Sequence, residues 1–366
     1  MELPRVAAFT DTYLPTVNGV TYTVKTWRER WAGRGSQMDV VYPRSDHEAT
    51  AGEHPVSSLP FPFYDGFRVG VPQIPEAVSQ ADVVHAHTPF SLGVGGYRLS
   101  RRLDVPLVAS YHTPISEYAS YISFNGAVQK AVRCSASRYE RWFLDRADLI
   151  VAPSERTAEH VRENVGVATP VEVVANGVDV EFFHPVETTS FRERYDLPEG
   201  PLVGYTGRHG YEKCLDDVVD AADGLDVTLV FGGDGPARAD LERKAADVGV
   251  DARFLGFLDR EELPEFYSAL DVFAFPSPVE TEGLVAMEAN ACGTPVVGVD
   301  SGALSDTIVD GKTGFTYPEG DIDAFRSDIE RALSEYDDLR ETCLDHREGV
   351  SVEHSVDRLA DVYGRI

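Results

Sequence analysis

The chain is 366 residues long, more than one hydrophobic core ordinarily serves, so two domains are expected. Hydrophobic residues make up 43%, which excludes a disordered chain, and no stretch reaches the apolar length that spans a bilayer. With 61 acidic against 33 basic residues the net charge is −28, which excludes nucleic acid as a partner.

The opening MELPRVAAFTDTYLP has neither a basic n-region nor a cleavage site; it reads as a first strand and predicts a cytoplasmic protein. Short β-branched runs then alternate with helical patterns, as in parallel sheets with crossover helices. In the first half strands are predicted at 5–9, 38–42, 82–86, 107–110, 149–152 and 171–174. Between the first two, Val20, Val24, Trp27 and Trp31 form one apolar helical face. After a polar, proline-bearing segment at 185–200 a second series runs through 202–205, 227–231, 253–255, 272–275 and 296–299. Two Rossmann-like halves joined near residue 185 follow from this order, with a helix at 354–363. Cys134, Cys214, Cys292 and Cys343 are scattered without metal or disulfide spacing and read as buried, reduced thiols. The acids are spread along the chain instead of forming a tail, which reads as a surface adapted to high salt, and so as a halophile's protein.

Four segments carry chemistry. In Phe275 to Pro295 a strand ends in a loop holding Glu280, and Gly283 opens a helix whose first residues are Leu284 and Val285 and which carries Glu288. A glycine-preceded helix start offers free N–H groups and a positive dipole end to a phosphate. Glu288, one turn on, is placed for ribose hydroxyls, and Glu280 for those of a sugar. In Gly207-Arg208-His209-Gly210-Tyr211-Glu212-Lys213 two cations follow a strand end and can neutralise a departing diphosphate. Lys213 is one of five lysines in a chain whose cations are otherwise arginine. Near the start, Asn18-Gly19 follows the first strand and opens a helix, so the Gly19 N–H can approach a phosphate. His112 follows a strand in Ser110-Tyr111-His112-Thr113, as do His85 and His87 in theirs.

The block ETEGLVAMEANACGTPVV resembles the E-x7-E signature of the retaining glycosyltransferases of family 4 (GT4), which have the GT-B fold. The Gly207–Lys213 segment is similar to that family's GR…EK motif, and the Asn18-Gly19 loop to its first glycine-bearing loop; the resemblance runs from Phe9 to about Gly320. It implies an α/β chain of two Rossmann-like domains facing across a deep cleft. Residues 1–184 would form the N-terminal acceptor domain and 185–349 the sugar-nucleotide donor domain, with a C-terminal helix, within 350–366, returning to the first. It further implies that Arg208 and Lys213 grip the donor diphosphate and that Glu280 and His112 position the donor sugar. Gly19, Gly283, Leu284, Val285 and Glu288 would bind the nucleotide sugar, a UDP-sugar by the family's habit. No cofactor and no metal are implied. The family usually has glycine where this chain has Cys214, a departure read as a packing change. Asn176-Gly177-Val178-Asp179 and Gly233-Asp234-Gly235-Pro236 also match and read as architectural turns.

For the acceptor, residues 117–146 carry five basic against three acidic side chains inside a strongly acidic protein. With Tyr121, Phe124 and Trp142 nearby, this basic stripe fits either an anionic membrane surface or an ordinary helix covering the first sheet. SYHTPISEYASYIS and the ETEG block are similar to enzymes forming glucosyl- and sulfoquinovosyl-diacylglycerol. That implies a lipid acceptor and a peripheral place on the inner face of the cell membrane. Lipid-linked oligosaccharide assembly for protein glycosylation and a sugar-nucleotide 2-epimerase stay open as alternatives.

Overall fold

The structure, a computed structural model, describes residues 3–16, 18–60, 68–112, 114 and 126–366, with 126–134 described by their backbone alone. The chain forms two compact units, Met1–Asn176 with Val352–Ile366, and Gly177–Ser351.

The strands of the first unit are β1 (Val6–Phe9), β2 (Met38–Pro43), β3 (Glu53–Val56), β4 (Ser58–Pro60), β5 (Arg68–Gly70), β6 (Val83–Ala86), β7 (Leu107–Ser110), β8 (Leu149–Ala152) and β9 (Val171–Val173). Seven of them make a parallel sheet in the order β3-β2-β1-β6-β7-β8-β9, and β4 and β5 form a short antiparallel pair. The second unit contributes β10 (Leu202–Thr206), β11 (Thr228–Gly232), β12 (Ala252–Gly256), β13 (Val272–Phe275), β14 (Val296–Val299) and β15 (Gly314–Tyr317). They form a parallel sheet ordered β12-β11-β10-β13-β14-β15. Each sheet is Rossmann-like: the strand order reverses once, between β1 and β6 in the first and between β10 and β13 in the second.

Central strands such as β1, β6, β7 and β8 are buried along their whole length, which is why they read as unbroken apolar runs. Successive side chains serve opposite faces. Val6 and Ala8 join one core with Trp27 and Trp31, whereas Ala7 and Phe9 join the other with Leu92 and Leu99. The helix Gly19–Gly33 buries Val24, Trp27 and Trp31 as its periodicity predicts, and Val20 is half-buried.

The last helix, Val352–Tyr363, returns to this first unit. It buries Val352, Val356, Leu359 and Val362 in the core that holds Trp31. Arg30 pairs with Glu353 and Arg34 with Asp357, each at 2.5 Å. Among the described residues no helix is long and apolar enough to cross a membrane. The cysteine reading needs one correction: Cys292 and Cys343 are buried, with thiols pushed up to about 12 by burial, but Cys214 is only half-buried. The side chain of Cys134 lies outside the described residues.

Candidate active site

In open parallel sheets a ligand lies beyond the carboxyl ends of the strands where the order reverses. The predicted residues can be placed against that rule in each unit separately.

In the second unit β10 runs into Gly207, which adopts φ +145°; a Cβ there would lie 2.8 Å from the Tyr205 hydroxyl. The turn at Gly233 packs against this loop so closely that a Cβ would sit 2.0 Å from the Gly207 carbonyl oxygen. Gly233–Pro236 thus shapes the loop that carries Arg208. Arg208 pairs with Glu212. A 3₁₀ turn over Tyr211–Lys213 ends on Cys214, which holds a left-handed conformation at φ 50° and ψ 37°. That conformation is why glycine suits this position, so the departure noted in the sequence is one of backbone preference as well as packing.

Lys213 Nζ meets Glu280 Oε1 at 2.5 Å, with both side chains under one-fifth exposed. Glu280 stands in the loop after β13, and its carbonyl oxygen accepts from the Ala303 N–H at 3.2 Å. Gly283 (φ +81°) then turns the chain into the helix Leu284–Ala291, and a Cβ on it would lie 2.7 Å from Leu304 Cδ2. Leu284 and Val285 are half-buried first-turn residues. Ala286 and Met287 donate to the Gly283 carbonyl, so the N–H groups that precede the first helical bonds are those of Leu284 and Val285.

Glu288 is half-buried one turn on and accepts a hydrogen bond from the Tyr267 hydroxyl at 2.7 Å. Burial pushes its carboxyl up from the ordinary range, against the opposing pull of Arg260 and the Tyr267 hydrogen bond. Neither acid is an isolated solvated side chain. The sequence assigned Lys213 and Glu280 to different parts of a ligand; the structure joins them.

In the first unit, Asn18 caps the Gly19–Gly33 helix. Its Oδ1 accepts from the Thr21 N–H, and its Nδ2 donates to Thr12 Oγ1, each at 2.8 Å. Gly19 is therefore the exposed first residue of a capped helix, not part of a simple turn. Asp11, which the sequence reading missed, is buried after β1. It accepts from Thr88 Oγ1 at 2.7 Å, Ser91 Oγ at 2.9 Å and the Leu92 N–H at 3.2 Å, so it fastens the helix Ser91–Leu103 to the end of β1. Burial pushes its carboxyl up. Its place just after the first strand was the one signal for it.

His112 follows β7 and does not stand alone. Its Nε2 lies 3.2 Å from His87 Nδ1, and the His87 ring stacks on that of His85 with centroids 4.1 Å apart. His85 is satisfied on both sides, by the Tyr363 hydroxyl at 2.6 Å and Ser110 Oγ at 2.8 Å. All three rings are buried, and desolvation keeps them neutral, His85 falling to about 3 and His112 to about 4. His87, Ser110, Tyr111, His112 and Phe143 line one cavity. Thr113 and 115–125 lie outside the described residues, so of the basic stripe only its end is seen. There Trp142 is exposed, stacks on Tyr139 at 5.6 Å, and carries the Arg146 guanidinium 3.9 Å above its ring.

Two doubly wound sheets, with a glycine-opened helix, paired cation and carboxylate, and buried histidines at their reversal points, define a GT-B type of chain. Glycosyltransferase Family 4 matches residues 17–182, and Glycosyl transferases group 1 matches 187–345. A GDP-mannose-dependent alpha-mannosyltransferase of Mycobacterium tuberculosis is 34% identical over 336 residues, 87% of this chain and 85% of that one. The chain belongs to glycosyltransferase family 4. It is also 34% identical over 280 residues to sulfoquinovosyl transferase SQD2 of Arabidopsis thaliana, covering 73% of this chain and about half, 53%, of that relative. Alpha-monoglucosyldiacylglycerol synthase of Streptococcus pneumoniae is 28% identical over 98% of this chain and 85% of its own. Among solved structures, sucrose-phosphate synthase from Thermosynechococcus elongatus superposes with a TM-score of 0.79 at 22% identity, covering 99% of this chain and 98% of that one. HepE from Anabaena in complex with UDP and glucose gives 0.78 at 17%, covering 99% and 100%. At those identities the likeness is one of fold.

Proposed function

We propose that this chain is a retaining hexosyltransferase that moves a hexose from a UDP-sugar to a membrane lipid on the inner face of the cell membrane, without a metal or other cofactor. The Lys213–Glu280 pair carries the reading. It sets a cation and a carboxylate together just past β10 and β13, where the sheet order reverses, so one site can meet both a diphosphate and sugar hydroxyls. On donor arrival the diphosphate becomes the partner of Lys213 and Arg208, and Glu280 is released to orient the sugar, with His112 as the second sugar contact. Gly19, Gly283, Leu284 and Val285 offer backbone N–H groups to the donor, and Glu288 accepts from ribose hydroxyls.

The bond from the anomeric carbon to the diphosphate oxygen breaks through an oxocarbenium-like transition state. The acceptor oxygen bonds to the same face of that carbon, and its proton passes to the leaving diphosphate. Arg208 and Lys213 stabilise the charge that develops there. Glu280 acts as an orienting group and forms no covalent bond.

A lipid acceptor is supported by the names of two relatives, a sulfoquinovosyl transferase and a monoglucosyldiacylglycerol synthase. The exposed Trp142 with Arg146 above it, beside exposed Arg138 and Arg141, supports docking on an anionic membrane. The net charge of −28 supports a halophilic setting, so the assay belongs in molar salt.

The test incubates the protein with a panel of UDP- and GDP-sugars and extracted membrane lipids, following nucleoside diphosphate and glycolipid together. Lipid-dependent release with a UDP-hexose, lost in Glu280→Ala and Lys213→Ala, is expected. Transfer to a polyprenyl-linked acceptor alone would move the assignment to lipid-linked oligosaccharide assembly. Interconversion of UDP-GlcNAc and UDP-ManNAc without transfer would make it an epimerase.

A further inference from the structure

His87 is 1% exposed, and its backbone N–H donates to the Phe9 carbonyl at 2.8 Å, which anchors it at the end of β6. Its ring and that of His112 are nearly coplanar, 13° apart, with centroids separated by 5.5 Å. That separation suits two imidazoles joined nitrogen to nitrogen in plane, so the 3.2 Å contact is a hydrogen bond between rings. His85 cannot substitute in it, because both its nitrogens are engaged by Tyr363 and Ser110.

A neutral imidazole carries one donor and one acceptor nitrogen, so one of the two facing atoms must hold the proton. The far nitrogen of His87, Nε2, is buried without a partner among the described residues. If His112 donated, the proton of His87 would sit on that atom as an orphaned buried N–H. If His87 donates, the same atom is a bare acceptor, the less costly defect in an apolar pocket. The second arrangement also leaves the His112 proton on Nδ1.

We propose that His87 is a positioning residue, which by donating its Nδ1–H to His112 Nε2 holds His112 as the Nδ1–H tautomer and presents that N–H to an oxygen of the donor sugar. The proposal rests on the assignment of His112 as a sugar contact. It separates the roles of the His-x-His pair at 85 and 87. His85 ties the stack to the sheet and to Tyr363, while His87 sets the proton on His112.

The full chain labelled with ¹⁵N-histidine reports the tautomers directly through two-bond ring correlations, without any substitution. Both His87 and His112 are expected as Nδ1–H forms. His87→Asn places an amide nitrogen where Nδ1 stood and should keep most of the turnover. His87→Leu should lower kcat about ten- to hundredfold, the scale of loss that follows removal of the hydrogen-bond partner of a metal-ligating histidine, with little change in KM for the donor. A wild-type His112 found as the Nε2–H form overturns the proposal, whether or not His87→Leu folds. A folded His87→Leu with undiminished kcat, beside a slowed His112→Ala, overturns it alone. An undiminished His112→Ala removes both the proposal and the sugar-contact role on which it rests.

Discussion

The two units share one topology and use it in opposite electrostatic ways. Beside the reversal point of the first sheet, on β6 and at the ends of β6 and β7, stand three linked imidazoles, kept neutral by burial and satisfied mostly by each other, by Ser110 and by Tyr363. At the reversal point of the second stand Arg208–Glu212 and Lys213–Glu280, ion pairs that on the proposed reading exchange partners with an arriving donor. The doubly wound sheet fixes only where side chains gather. Whether the gathering point is a rigid hydrogen-bonding wall or a reserve of exchangeable charge is decided by a handful of residues after each strand.

The contrast is sharpest against pH. Trp27, Trp31 and Trp142, the three tryptophans of the sequence, all belong to the first unit, so their fluorescence follows that unit alone. A histidine depressed in the fold binds fewer protons than in the unfolded chain. Its stabilisation is whole above the ordinary value of 6.5 and is lost as pH falls, toward about 4 for His112 and about 3 for His85. Each contributes a loss of about 1.4 kcal/mol per pH unit in that window, so several kcal/mol are expected between pH 6.5 and 4.5. Asp11, raised by burial, opposes this in the same unit but is a single group. A tryptophan-detected melting temperature that stays flat over this range would break the contrast.

Next in size is Lys213→Ala. Removing one preorganised cation from developing charge lowers kcat by about 10²–10³-fold, or about 3–4 kcal/mol, as read by nucleoside diphosphate release. Because Lys213 and Glu280 touch, the double variant should lose less than the two single losses added together. In the first unit, Tyr363→Phe leaves His85 Nδ1 buried with no hydroxyl to meet, at a cost of about 1–3 kcal/mol. Tryptophan fluorescence should register that loss. The smallest effect has the opposite sign. Cys214→Gly relieves a left-handed non-glycine residue worth about 1–2 kcal/mol, less glycine's entropy of about 0.5–1. Circular dichroism should show a slightly raised melting temperature.

Strands buried on both faces were legible to within a residue or so, because β-branched runs such as Leu149–Ala152 and Val296–Val299 have little other use. Three kinds were not. Glu53–Val56 is an edge strand whose sequence, EHPV, carries a charge and a proline, and Gly314–Tyr317 closes the far edge of the second sheet after a turn. The β4–β5 pair has three residues on each side, too few for an alternation to register.

The candidate residues of the second unit were legible one by one, through the spacing of Glu280 and Glu288 and the order Arg208, Lys213. Their pairing was not, since Lys213 and Glu280 are 67 positions apart and meet only because β10 and β13 are neighbours. The histidine stack hid for the same reason. Period-two alternation puts His85 with His87 on one side and Ser110 with His112 on the same side, but only the register of β6 on β7 sets the two rows against each other. Asp11 gave no signal beyond its place after the first strand, its work being to accept from a helix start 80 residues away.

The returning helix also orders events in time. A ribosome delivers Val352–Tyr363 only after all of Gly177–Ser351 has been made. At about 5–20 residues per second, that interval is roughly 9–35 s. Through it the nascent first sheet waits with Trp31 lacking the Tyr363 ring and His85 lacking its hydroxyl. The unit begun first is the one finished last, so the cell must shelter a half-roofed domain while the second one folds.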